Sequence, residues 1–286
     1  MIKGLILDVD GVLVGSKMGF NWPMPHADVI HALKTLREKG MFVSLCTGKG
    51  TFAIREIVEA AHLDNLHIGD GGAVVVDFLK NQVIEKHILS PSDVFRITKM
   101  FQDAGVYVEL YTVDRYYVEE KSVSEITKTH TEILQRDPKI VSSLLETSKL
   151  LEVVKVMLVA RDEKDKERII NLFKESKSSL SLQWGVHPTA LPLLFGLITL
   201  QGISKKQAAE TISKNTCVSL TDTLGIGDGM TDWNFMDICG YAGAMGNAVI
   251  ELKEKVQSRV ERGYVGTSVN ENGVLDILKH FGVLEG

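Results

Sequence analysis

The sequence predicts an α/β fold: a doubly wound parallel-sheet core with a second, α+β domain inserted into it. Three observations carry this prediction. Apolar strand-like runs alternate with amphipathic helical patterns over the first third of the chain. From about residue 83 the texture changes to paired strands around a tight turn, and from about residue 202 the alternation returns. The core strands are apolar throughout, as in a parallel sheet covered on both faces.

The elements follow in order. "GLILDVDGVL" opens the chain with a strand over 4–9; an amphipathic helix over 27–39 is stopped by Gly40, and "MFVSLC" supplies a second strand at 41–46. That strand completes a βαβ unit, and another helix follows over 52–61. "VYVELYTVDRYYVEE" (106–120) reads as a hairpin turning at Val113-Asp114. A helix begins near Ser122, where Ser122 and Glu125 have capping-box spacing; a strand at 153–160, a charged helix at 162–176 and a strand near 180–186 follow. The core resumes with "GISKKQAAETIS" (202–213) as a helix start, "LTDTLGIGD" (220–228) as a strand end and "VIELKEKV" (249–256) as a helix. The core is thus expected over 1–82 and 188–286, and the insertion over 83–187.

The 286 residues are 44% hydrophobic and 24% charged, ordinary for a globular protein of one large or two modest domains. A net charge of −5 argues against nucleic acid or an anionic membrane as partner, since both demand a basic surface. The longest apolar stretch, 191–200, is interrupted by Pro192 and Gly196 and falls far short of the roughly 20 residues that span a bilayer. Asp8 and Asp10 break the first apolar run before it could serve as a signal peptide, so a cytoplasmic protein is expected. Cys46, Cys217 and Cys239 have no paired or zinc-like spacing.

Two carboxylates at the end of an aliphatic strand repel each other and are costly to desolvate. Residues two apart near a strand end point to one side, so Asp8 and Asp10 share a small space; taken alone, such a pair is equally a solvated turn. "LGIGDGMTDWNFM" (224–236) ends a second apolar run in Asp228, and one helical turn returns Asp232 beside it. In a parallel sheet these strand ends face one crevice. Four acids there need a counter-charge, and hard oxygen ligands at this density suit Mg²⁺, which also binds phosphate. A dinucleotide-binding turn at "GIGDG" ranks lower, for the spacing is not GxGxxG. "HIGDGG" (67–72) lacks a following acid, which leaves Asp70 in a turn before a strand. "SLCTGKG" (44–50) offers the Thr47 hydroxyl and close backbone approach at Gly48, although a Thr there is also a common helix cap. Lys205 opens a helix, where a cation is disfavoured without an anion nearby; adjacent Lys206 shows the plain surface alternative.

Together these segments resemble the haloacid dehalogenase-like phosphatase superfamily, and within it the Cof-type hydrolases with a Rossmann-like core and a large C2-type α/β cap. The matching motifs are Asp8-Val9-Asp10-Gly11, Thr47-Gly48, Lys205, and Gly227-Asp228 with Asp232, while "GAMGNA" (243–248) and "NENGVLDIL" (270–278) resemble the closing segments. The resemblance implies Asp8 as nucleophile, Asp10 as acid and base, and Mg²⁺ held by Asp8, the Asp10 carbonyl and Asp228 with support from Asp232. It also implies Thr47 and Lys205 as phosphoryl-holding residues, and Gly11, Gly48 and Lys49 are expected near the substrate; His187, where the chain leaves the cap, is a further expected substrate contact by its position alone. Val12, Lys49, Thr231 and Gly71 depart from the family pattern, the second and last bearing on substrate choice.

The expected activity is hydrolysis of a small phosphorylated metabolite through an aspartyl-phosphate, by a monomer or homodimer. A phosphotransferase or mutase shares the motifs, and a non-catalytic phosphosugar-binding module is a third reading, disfavoured by Asp10. Among the insertion's side chains His187 is preferred over Arg115, Tyr116 and Tyr117, and His26 is expected to cap a helix.

Overall fold

Buried aliphatic residues dictate the centre of the core. In the computed structural model, which describes residues 1–285, β1 (Gly4–Leu7) has no exposed residue and is followed by α1 (Ala27–Glu38) and β2 (Phe42–Leu45). A short 3₁₀ turn at Thr51–Ala53 precedes α2 (Arg55–Ala60), so the helix expected from residue 52 starts three residues later. The chain then forms β3 (Leu66–Gly69), β4 (Val74–Asp77) and β5 (Gln82–Lys86), a small antiparallel sheet. Side chains join it to β2: the Ser44 hydroxyl donates to the Leu66 carbonyl at 2.7 Å, and His67 Nδ1 accepts from the Leu45 amide at 3.1 Å.

The insertion follows as α3 (Pro91–Asp103), β6 (Tyr107–Tyr111), β7 (Tyr116–Glu119), α4 (Glu125–Leu134), β8 (Lys139–Val141), α5 (Leu144–Ser148), β9 (Lys155–Ala160), α6 (Glu163–Glu175), β10 (Leu180–Val186) and β11 (Leu194–Leu200). Its six strands lie in the order β10-β11-β9-β6-β7-β8, antiparallel except for β7 with β8. Val156, Leu158 and Ala160 pack on one side with residues of α3, α5 and α6; Met157 and Val159 turn to the opposite side and join the core cluster with Phe52. The cap is therefore seated sheet-first on the core.

The core returns with α7 (Lys205–Thr216), β12 (Thr223–Gly227), α8 (Met230–Met236), β13 (Tyr241–Ala244), α9 (Ile250–Gln257), β14 (Gly263–Val265) and α10 (Gly273–His280). Its parallel sheet runs β14-β13-β12-β1-β2, the doubly wound arrangement expected.

Two expectations need correction. The domain division read at 82/83 and 187/188 does not follow the sheets: β5 pairs with β4 on the core side, and β11 pairs with β10 and β9 in the cap sheet. Residues 194–200 of the apolar run form a cap strand between two partners, so the cap sheet ends at Leu200. The α4 cap also moves: Ser124, not Ser122, is the N-cap and pairs reciprocally with Thr127, because Glu120–Ser122 forms a 3₁₀ turn. Among the described residues no helix is long and apolar enough to cross a membrane.

Candidate active site

At the end of β1 the Asp8 amide still donates to the Ile226 carbonyl of β12 at 3.0 Å, which holds Asp8 on the sheet edge. The chain then turns at Gly11, whose φ of +78° few side chains tolerate, and a Cβ there would collide with the Asp228 carboxylate. Lys205, first residue of α7, donates from Nζ to Asp8 Oδ1 at 2.7 Å and to Asp232 Oδ1 at 2.6 Å. Asp232 Oδ2 accepts from the amides of Asp228 and Gly229 at 3.1 and 2.9 Å, capping α8 and fixing Asp228 beside it. One carboxylate oxygen from each of Asp8, Asp228 and Asp232 lies within 4.8 Å of the others.

Asp10 faces a different set. Its Oδ1 lies 2.8 Å from Lys49 Nζ and 3.1 Å from His187 Nε2, and all three groups are shielded from water. His187 comes from the connection between β10 and β11. Its Nδ1 accepts the Thr189 amide at 3.3 Å, so in the neutral ring the proton sits on Nε2, towards Asp10. Trp22 meets the His187 ring edge-on at 5.0 Å. In the neighbouring loop Thr47 is buried, and its Oγ1 accepts the Lys49 amide at 3.1 Å.

The electrostatics separate the two aspartates of the first motif. Burial, then the Asp232 charge, push the Asp8 carboxyl up to about 7, although Lys205 pulls the other way. Asp228 is likewise held well above the usual carboxylate range by burial and by Asp232 and Asp8. Burial also opposes ionisation of Asp10, but Lys49 and His187 outweigh it and hold that carboxyl well below the usual range. Lys205 is the reverse: burial disfavours its charge, yet Asp232 and Asp8 keep it firmly protonated. The Asp8–Asp228 side thus carries negative charge that Lys205 alone does not balance.

The residues singled out in the sequence fall into two adjoining groups. Asp8, Lys205, Asp228 and Asp232 meet directly, with Gly11 against Asp228; Asp10, Lys49 and His187 meet beside them, with Thr47 and Gly48 in the loop that presents Lys49. Arg115 instead pairs with Asp114 at the hairpin tip, Tyr116 and Tyr117 are buried in packing, and His26 caps α1. Asp70 does sit in a turn before β4, but it is fully buried and paired with Lys155 at 2.8 Å. Asn247 was not separated from its motif by sequence reasoning, yet its Nδ2 donates to the Gly11 carbonyl at 2.9 Å and reaches Asp228 Oδ2 at 3.3 Å, while its Oδ1 accepts the Val269 amide at 2.8 Å. Such a site can present a carboxylate oxygen to an electrophile beside a second, separately tuned carboxyl group.

The family profile of the haloacid dehalogenase-like hydrolases matches residues 5–278. YkrA of Bacillus subtilis (strain 168) is 25% identical over 254 residues, covering 87% of this chain and 88% of its own length. The pyridoxal phosphate phosphatase YbhA of Escherichia coli (strain K12) is 23% identical over 257 residues, 88% of this chain and 90% of YbhA. Among solved structures, the HAD subclass IIB sugar phosphatase BT4131 superposes with a TM-score of 0.77 at 22% identity, covering 99% of this chain and 100% of that one. With the motif residues brought to one sheet edge beneath a seated cap, this chain belongs to the haloacid dehalogenase-like hydrolases and is an enzyme of that family.

Proposed function

We propose that the enzyme is a Mg²⁺-dependent phosphatase that hydrolyses a small phosphate monoester, a sugar phosphate or similar, through an aspartyl-phosphate on Asp8. The observation that carries this reading is the pairing of Asp8 with Lys205 on one side and with Asp228 on the other, while Asp10 stands next to it in a different electrostatic setting.

The donor set fits a hard divalent cation. Both oxygens of Asp232 are engaged by Lys205 and backbone amides, which makes it the support, whereas Asp8 and Asp228 keep oxygens for a cation, their carboxyls raised by burial and then by the neighbouring acids. Asp8, Asp228 and the Asp10 carbonyl would hold the ion, which when bound supplies charge neutralisation for an approaching phosphate and its transition state.

Asp8 attacks phosphorus as the ester P–O bond breaks, and Asp10 gives the departing alkoxide its proton. Thr47 and Lys205 hold the phosphoryl oxygens, and Gly11 and Gly48 allow close backbone approach. A phosphate dianion takes a share of the Lys49 charge, which raises the proton affinity of Asp10 from its low resting state, so that Asp10 takes up a proton from solvent as the substrate binds and carries it to the leaving group. Water then attacks phosphorus, surrenders a proton to Asp10, and the P–O bond to Asp8 breaks, restoring both carboxyl groups. His187, on the cap connection, faces the leaving group's side. The sugar-phosphate class follows BT4131, while the similar YbhA is a pyridoxal phosphate phosphatase, which keeps other small phosphate esters in the panel.

The test is phosphate release from a panel of phosphorylated metabolites with Mg²⁺, with Asp8→Asn as blank. Release by the wild type and none by the variant is expected. Consumption of the ester only when an acceptor sugar is added, with the phosphoryl group recovered on that sugar and not as free phosphate, would replace hydrolysis with transfer, and no turnover with ligand binding unchanged in Asp8→Asn would leave a binding module.

A further inference from the structure

One lysine that the mechanism above does not use lies where the cap meets the core. Lys155, on cap strand β9, is fully buried inside the aliphatic run 153–160. Its ammonium does not stay in the cap: Nζ donates to the core carbonyl of Gly48 at 2.9 Å, lies 2.8 Å from Asp70 Oδ1, and sits 3.9 Å from the centre of the Tyr111 ring. Asp70 is also fully buried, and burial raises its carboxyl while Lys155 opposes that rise. Burying both charges is costly, and hydrophobic residues of similar volume would serve stability as well or better.

The surroundings show what the pair holds. Three consecutive carbonyls of the loop after β2 are pinned: Thr47 by the Gly71 amide at 3.0 Å, Gly48 by Lys155, and Lys49 by the Asp70 amide at 2.7 Å. Asp70 reaches this position through a left-handed φ of +53°, which Asp tolerates better than most residues. Because each peptide unit is planar and trans, fixing the carbonyls of Thr47 and Lys49 on one side turns the amides of Gly48 and Gly50 to the other. Two of the three anchors belong to the core. The middle one belongs to the cap, whose Leu197 side chain also lies against Gly48 and Gly71.

We propose that Lys155 is a positioning residue that completes the Thr47-Gly48-Lys49 phosphate loop only when the cap is seated, so that cap closure and phosphate-site geometry are one event. This rests on the phosphatase reading for its catalytic consequence but not for the ordering of the loop. Lys155 touches no reacting atom; it acts through the Gly48 carbonyl on Thr47 and on Lys49, the residue that faces Asp10.

Lys155→Met alone leaves Asp70 as an unpaired buried acid and can fail to fold, so the decisive protein is the double variant K155M/D70N, which removes both charges and keeps the volume. Hydrogen exchange read by mass spectrometry should show the peptide spanning 47–50 exchanging about 10-fold faster or more than in the wild type, with β1 and β12 unchanged. Turnover of para-nitrophenyl phosphate should show kcat lowered by about 10- to 100-fold with KM moving far less, since a small misplacement costs the reaction more than binding. Exchange and kcat both at wild-type levels would overturn the proposal, as would faster exchange spread evenly over the core, which marks a purely structural pair. If the wild type turns over no monoester, the phosphatase reading fails and the exchange experiment still decides the role of Lys155.

Discussion

Lys205 carries the charge balance of the site. It is the only lysine in contact with Asp8 and Asp232 among the described residues, and both acids are buried. Removing it leaves two carboxylates uncompensated, and broken buried pairs of this kind cost about 3–5 kcal/mol. Lys205→Met should therefore lose that much stability in urea unfolding as well as turnover; an unchanged unfolding midpoint would contradict the buried pairing. His187 differs, since Asp10 keeps Lys49 when the ring is removed. His187→Ala should fold normally and lower kcat for the natural substrate more than for a small generic ester, as measured by steady-state kinetics on both.

At the scale of elements, the turn after β1 and the start of α8 fit each other through glycine. Gly11→Ala should abolish turnover and weaken Mg²⁺ binding in calorimetry, because a Cβ collides with Asp228. β1, β2 and β12 are legible in the sequence because each is a short aliphatic run ending in a chemically distinctive residue, Asp8, Thr47 and Asp228. β11 is not, since Pro192 and Gly196 interrupt its apolar run while its pairing with β10 and β9 depends on residues distant in the chain. Asn247 and Lys155 are hidden for the same reason: the groups they bond, Gly11 and Gly48, lie far off in sequence, so only folding identifies them. A fragment of residues 88–201 should accordingly unfold cooperatively by circular dichroism, whereas 83–187, which lacks the strand joining β10 to the sheet, should not.

For the whole molecule, the raised carboxyls link pH, metal and stability. Asp8 and Asp228 bind protons more tightly in the folded state, so without metal these two groups hold more protons folded than unfolded between about pH 4 and 7, while His67, pushed down to about 4 by burial, works in the opposite sense over the lower part of that window. Stability contributed by the two aspartates then falls as pH rises through that window. Asp10, held low, acts in the opposite sense only below the usual carboxylate range, and Lys205, held high, acts only above the usual lysine range. In EDTA the thermal midpoint should drop from about pH 5 to about pH 7.5, and Mg²⁺ should raise it more at the upper pH, since ligands must be deprotonated. A midpoint indifferent to Mg²⁺ at both would count against a cation at Asp8 and Asp228.

The parallel pairing of β1 with β12 has a consequence for how the protein is born. Asp8 leaves the ribosome 220 residues before Asp228, a gap of roughly 10 to 45 s at ordinary translation speeds. Throughout that interval the greasy first strand has β2 on one flank and nothing on the other, so a nascent chain stalled before residue 223 displays a sticky, inactive intermediate suited to capture by a chaperone.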